Sequence, residues 1–98
     1  MAVAATFLAK VKTALRVSFN NLDSQISDLI EEAILDLTAT ADIKSFTTSN
    51  ADALQTGAVI AYVSWKWLND DRYYTAYNDM KAKMALSGTY RSVMVNEE

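Results

Sequence analysis

The stretch from 51 to 68, ADALQTGAVIAYVSWKWL, constrains the fold more than any other, because its apolar residues cover nearly the whole girth of a helix. Wound at about 100° per residue, Leu54, Ala58, Ala61, Tyr62, Trp65 and Leu68 fall on one face and Val59, Ile60, Val63 and Trp67 on the other. Only Gln55, Ser64 and Lys66 supply narrow polar edges. Such a helix must be covered on two sides, by other helices of its own chain or by another subunit. Ser49 and Asn50 are N-cap types ahead of it, and Asp52 suits the positive end of its dipole. Asn69, Asp70 and Asp71 mark its exit and can also cap a following helix, which predicts a short corner. Gly57 has two readings: it lets another backbone come close, or it is a plain loss of about 1 kcal/mol of helix propensity.

A hub helix of this kind needs neighbours, and the remaining sequence supplies them. From about Ala4 to Arg16, residues Ala4, Phe7, Leu8, Val11, Ala14 and Leu15 share one arc, with Lys12 and Arg16 turned outward. Thr6 is a candidate N-cap, the alternative being a helix that starts earlier. Lys12 and Arg16 read either as a solvated basic edge or as a contact to an acidic neighbour. Val17 to Leu22 breaks the pattern at Asn20 and Asn21 and forms a corner. The next helix, about Asp23 to Ala39, carries Leu22, Ile26, Leu29, Ile30, Ala33, Ile34, Leu37 and Ala41 at i, i+3, i+4, i+7 spacing. Asp28, Glu31, Glu32 and the stray Leu35 occupy its other side, as solvated charge with a lone leucine that could serve as a knob in a subunit interface.

Thr38 to Asn50 is rich in Thr and Ser and reads as the one long connection, pinned to the core by Ile43 and Phe46 and able to present a binding surface. After the hub, Asp71 to Ser87 aligns Tyr73, Tyr77, Met80 and Met84 along one side of a fourth helix. The cluster Trp65, Trp67, Tyr73, Tyr74 and Tyr77 reads as an aromatic core at a helix junction rather than a stacking platform for bases, because Asp70, Asp71 and Asp79 lie where such a platform needs a basic groove. Gly88 suits a left-handed helix end. Beyond it, Thr89 to Val95 alternates, with Arg91, Val93 and Val95 opposite Tyr90, Ser92 and Met94, which predicts an extended segment lying on the bundle or pairing with another chain.

The expected architecture is therefore all-α, a bundle of about four helices over residues 1–88 with a strand-like C-terminal tail over 89–98. Composition agrees: the 98 residues include no Pro and only two Gly, a balance that favours helices joined by short corners. The absence of Cys and His removes thiolate and imidazole chemistry, disulfides and the commonest zinc ligands, so no catalytic residue, cofactor or metal is expected. A net charge of −3 argues against a surface built to neutralise phosphates. The apolar runs fall short of the roughly 20 residues needed to span a bilayer, and the apolar N-terminus lacks the basic region of a signal peptide.

The segments FLAKVKTALRV, NNLDSQISDLIEEAILDL and AVIAYVSWKWLNDD together resemble the small helical head-to-tail connector, or adaptor, proteins of long-tailed bacteriophages. Leu8, Val11, Lys12, Leu15 and Arg16 carry the first motif, Asp23, Ile26, Leu29, Ile30 and Ala33 the second, and Tyr62, Trp65 and Trp67 the third, over about 80 of the 98 residues. The resemblance implies a structural virion protein without catalytic residues. It implies a homo-oligomeric ring of about twelve copies that docks on the portal, receives the next neck or tail component, and lets double-stranded DNA pass through its channel. Its place would be the virion neck, and the host cytoplasm during assembly. On this reading Lys12, Arg16, Asp28, Glu31, Glu32, Leu35, Trp67, Tyr90, Arg91, Val93 and Val95 form the subunit and partner interfaces. The alternative function is a small helical binding or regulatory module, monomeric or dimeric, touching nucleic acid through Lys10, Lys12, Arg16 and Lys44.

Overall fold

The computed structural model describes residues 3–18, 20–40 and 46–86, and these form four helices. They are α1 (Ala5–Leu15), α2 (Asp23–Thr40), α3 (Ala53–Leu68) and α4 (Asp71–Leu86), with no strand among the described residues. The all-α bundle expected from the periodicity is what forms. The predicted strand-like tail, 89–98, the cap at Gly88 and the pinning residue Ile43 lie outside the described residues.

Helix α3 is the hub, packing against α1, α2 and α4. Its two apolar faces find their cover within the same chain: Ala58, Val59 and Val63 are fully buried and Tyr62 nearly so. Gln55 and Ser64, expected as polar edges, are buried as well, because three helices close around α3 and leave little of its girth in water. The exposed strip is narrow and lies toward its end, at Lys66 and at Leu68, which is about half exposed although it belongs to the expected apolar face.

The helix ends differ in detail from the sequence expectation. Asp52, not Ser49 or Asn50, caps α3: its Oδ1 accepts the Gln55 N–H at 2.9 Å while Gln55 Oε1 accepts the Asp52 N–H at 3.0 Å, a reciprocal capping box. Asn50 instead closes the preceding turn, its Oδ1 accepting the Thr47 N–H at 2.8 Å. Helix α1 starts at Ala5 after an extended Ala4, so Thr6 is inside it and not its cap. The Ala4 N–H donates to Thr48 Oγ1 at 2.8 Å, which ties the chain's start to the α2–α3 connection. Arg16 ends α1 in the left-handed region (φ 60°), and the Val17 N–H reaches back to the Lys12 carbonyl at 2.9 Å, a Schellman-type end made without glycine.

Helix α2 runs to Thr40, within one residue of the expected end at Ala39, and takes in Thr38, whose Oγ1 donates back to the Ile34 carbonyl at 3.0 Å. Phe46, toward the end of the connection to α3, is buried in the core as expected. The α3–α4 corner also follows expectation: Asn69 takes the left-handed conformation and Asp70 Oδ1 accepts the Arg72 N–H at 3.0 Å. The core assembles Phe7, Val11 and Leu15 of α1, Ile26, Ile30, Ala33, Ile34 and Leu37 of α2, the hub, and Tyr77 and Met84 of α4. Ala14, assigned to the apolar arc of α1, faces solvent, and Tyr73 is only at the margin of the α4 stripe.

Gly57 sits where α4 crosses the hub. A Cβ there would meet Met80 Sδ at 3.2 Å, so the neighbour that approaches is a flexible side chain and not a backbone.

Candidate functional site

Two regions of the surface carry polar or apolar groups in arrangements that helix packing alone does not require. The first lies where α2, α3 and α4 meet. Tyr62 O–H donates to Glu32 Oε2 and Tyr77 O–H to Asp36 Oδ2, each in a short contact. Lys81 Nζ also donates to Asp36 Oδ2, at 3.0 Å, and Lys66 Nζ stands 3.9 Å from Glu32 Oε2. Around these pairs the rings pack edge to face, Tyr62 against Trp65 at 5.6 Å and against Tyr77 at 5.1 Å between centroids, while Trp65 and Tyr74 lie 4.4 Å apart. The ammonium of Lys66 sits 4.5 Å from the Trp65 centroid and that of Lys81 5.5 Å from Tyr77. A cleft of about 270 Å³ opens between them.

Electrostatically this region is closed on itself. Burial pushes the Tyr62 and Tyr77 hydroxyls well above the usual phenol range, and the hydrogen bonds to Glu32 and Asp36 raise them further. Both therefore remain donors at neutral pH. Each carboxylate holds a phenol and lies beside a lysine, so the cluster acts as a polar clasp joining α2 to α3 and α4. The expected aromatic core at the helix junction is present, with Tyr74 on its rim and Tyr73 outside it. Sequence periodicity did not point to Asp36: its signal was only that a carboxylate on α2 and a tyrosine-lysine pair four apart on α4, Tyr77 and Lys81, could meet if the helices crossed there.

The second region is the outer surface of α1 and α2. Lys12, expected to point outward, instead turns back over the α1–α2 corner, where its Nζ pairs with Asp23 Oδ1 at 2.8 Å and donates to Asn20 Oδ1 at 2.8 Å. Its side chain is only 12% exposed, because the left-handed end of α1 folds the corner against it. Arg16 is exposed. A groove of about 440 Å³ runs along α1, its apolar side made by Ala5, Leu8, Ala9 and Val17 and its polar side by Lys12, Thr13, Ser18 and Asp23. On α2, Asp28 is exposed, Glu31 half-buried, and Glu32 exposed but engaged with Tyr62. Leu35 stands among them 66% exposed.

Of the interface candidates, the side chains of Arg16, Asp28, Glu31 and Leu35 make no ion pair or hydrogen bond among the described residues, whereas those of Lys12 and Glu32 are used inside the chain. Trp67 is half-buried against the core, and Val63, expected to need outside cover, is fully enclosed. Tyr90, Arg91, Val93 and Val95, like Lys44 of the alternative reading, lie outside the described residues. Among the described residues no group of three acidic side chains gathers closely enough to hold a metal ion, and no helix is long and apolar enough to cross a membrane.

No protein-family model, curated protein or solved structure matches the chain.

Proposed function

We propose that the chain is a structural assembly subunit, a head-to-tail connector of a long-tailed bacteriophage that forms a ring between the portal and the next neck or tail component. The observation that carries this reading is the set of large apolar side chains left outside an otherwise closed bundle: Leu35 at 66% exposure, Leu86 at 87% and Leu68 at 48%. With the rest of α3 covered by its own chain, these residues are surplus to folding. They sit on three different helices, as a subunit touching more than one neighbour requires. The charged groups at the helix junctions support the same reading, since Glu32, Asp36, Lys66 and Lys81 serve to hold helices together.

The acidic balance of the chain also suits a channel subunit. A wall poor in unpaired Lys and Arg lets DNA slide, whereas a dense basic wall would hold its phosphates. The function involves no chemistry on a substrate and needs no cofactor. Sedimentation velocity and negative-stain electron microscopy of the full chain across a concentration series test it. Closed particles of one size are expected, and a chain that remains monomeric at its highest soluble concentration, or that forms only open chains, overturns the connector reading.

A further inference from the structure

We infer that Leu35 of one copy seats in the α1 groove of a second copy, with the acidic strip of α2 facing Arg16. The inference rests on the assembly reading and names the contact that would build it. Helix α1 contains no acidic residue and α2 no basic one. Three internal pairs, Lys12–Asp23, Lys66–Glu32 and Lys81–Asp36, draw on part of this polarity. What remains is Lys10 and Arg16 at α1 against Asp28 and Glu31 on α2, none with an ion-pair partner among the described residues.

Shape follows charge. On a helix wound at about 100° per residue, Asp28, Glu31 and Leu35 share one stripe, so the leucine projects from an acidic frame. The groove on α1 presents the complement: small apolar walls at Ala5 and Ala9 with Leu8 and Val17 beside them, an acid, Asp23, already paired with Lys12, and, outside the lining but next to Val17 in the chain, the exposed and unpaired Arg16. At about 440 Å³ it is large enough for a leucine and the adjoining turn.

The knob cannot fill the groove of its own chain. Asp23, at the start of α2, borders the groove, and Leu35 stands twelve residues further along the same straight helix, about 18 Å away at about 1.5 Å per residue. The occupant must be another copy. The contact joins two different patches, so two copies either exchange it reciprocally as a closed dimer or pass it on from copy to copy until it closes as a ring or continues as a filament.

Two single substitutions separate the halves of the contact. Leu35→Asp removes the knob and Ala9→Trp fills the groove, both at surface positions, and circular dichroism with thermal unfolding confirms that each variant keeps the fold. Sedimentation velocity at low salt should show wild-type assemblies, with each variant's self-association weakened more than about tenfold. An equimolar mixture of the two variants should form a 1:1 dimer and nothing larger, since it retains one intact knob and one intact groove. Arg16→Glu should weaken assembly, and adding Glu31→Arg in the same chain should recover part of it.

If both variants assemble as the wild type does, this contact is wrong while the ring reading stands. If the wild type forms Leu35-dependent species that never close, the contact stands and the connector reading falls. A wild-type chain that stays monomeric overturns the contact outright.

Discussion

Replacing Tyr77 by Phe removes one oxygen from the clasp between α2 and α4 and leaves everything else in place. The ring keeps its packing against Tyr62 at 5.1 Å and its place beneath Lys81 at 5.5 Å, and Lys81 keeps Asp36 at 3.0 Å. The lost interaction is a hydrogen bond from a hydroxyl on a side chain that is 1% exposed to an ionised carboxylate. Such bonds contribute about 1.5–3 kcal/mol, and because the Asp36 side chain is 31% exposed and can take up water, the lower half of that range applies, about 2 kcal/mol. For a chain of this length that is a fall of about 8–16 °C in Tm. Tyr62→Phe should cost less, about 0.5–1 kcal/mol, since the Glu32 side chain is 50% exposed.

The pH dependence provides the sharper test. Burial first, and the bond to Asp36 second, raise the Tyr77 pKa in the folded chain above its unfolded value near 10. A group whose pKa is raised on folding stabilises the fold fully below the unfolded value and loses that contribution as pH rises past it. Above about pH 10 the unfolded wild-type chain releases this proton and the folded chain does not, so stability falls by about 1.4 kcal/mol per pH unit from this residue alone. Phenylalanine has no proton to release. The wild type's advantage of about 2 kcal/mol should therefore shrink above pH 10 and vanish near about pH 11.5. Urea unfolding of both proteins from pH 7 to 11.5 measures it. A difference under about 0.5 kcal/mol at neutral pH, or one that stays constant to pH 11.5, refutes the clasp as described.

Gly57→Ala should be neutral or stabilising by up to about 1 kcal/mol, because the helix gains propensity and the atom a Cβ would meet, Met80 Sδ at 3.2 Å, belongs to a flexible side chain; Gly57→Val should lower Tm by forcing that sulfur aside. Asp52→Ala removes the carboxylate that accepts the Gln55 N–H, while the backbone N–H of residue 52 can still donate to Gln55 Oε1, and should cost about 1 kcal/mol in urea unfolding, whereas Ser49→Ala should be near neutral. Lys12→Ala leaves the partly buried Asp23 carboxylate without its cation and should destabilise by about 1–2 kcal/mol with little response to added salt, while Arg16→Ala leaves chemical stability almost unchanged.

The helices themselves were legible because their information is local. Of the predicted α2 stripe, Ile26, Ile30, Ala33, Ile34 and Leu37 are buried and Leu22 and Leu29 half-buried at its border, and the girdle of α3 predicts that it lies at the centre. Asn69 and Asp70 behave as their side chains dictate wherever a helix must stop and another begin. Ends set by more than one residue were less legible. An arginine in the left-handed region at the end of α1 and a cap shared between Asp52 and Gln55 each depend on how the flanking segments meet.

The candidate surfaces divide in the same way. Leu35 is surplus to the α2 stripe from spacing alone, and it is exposed. The fates of Lys12, Glu32 and Asp36 were not legible, because a charged side chain on a helix edge reads the same whether water or a neighbour's phenol receives it. Periodicity therefore determined which face of each helix is buried, a property of residues a few positions apart. The crossing of α2 over α3 and α4 decided which charges are internal, by bringing Tyr62 and Tyr77 to carboxylates 30 and 41 residues away. That crossing also decided what stays outside: once the chain covers its own hub helix, Leu35, Leu68, Leu86, the rims of Tyr73 and Tyr74 and the unpaired charges of α1 and α2 are left, among the described residues, for another molecule.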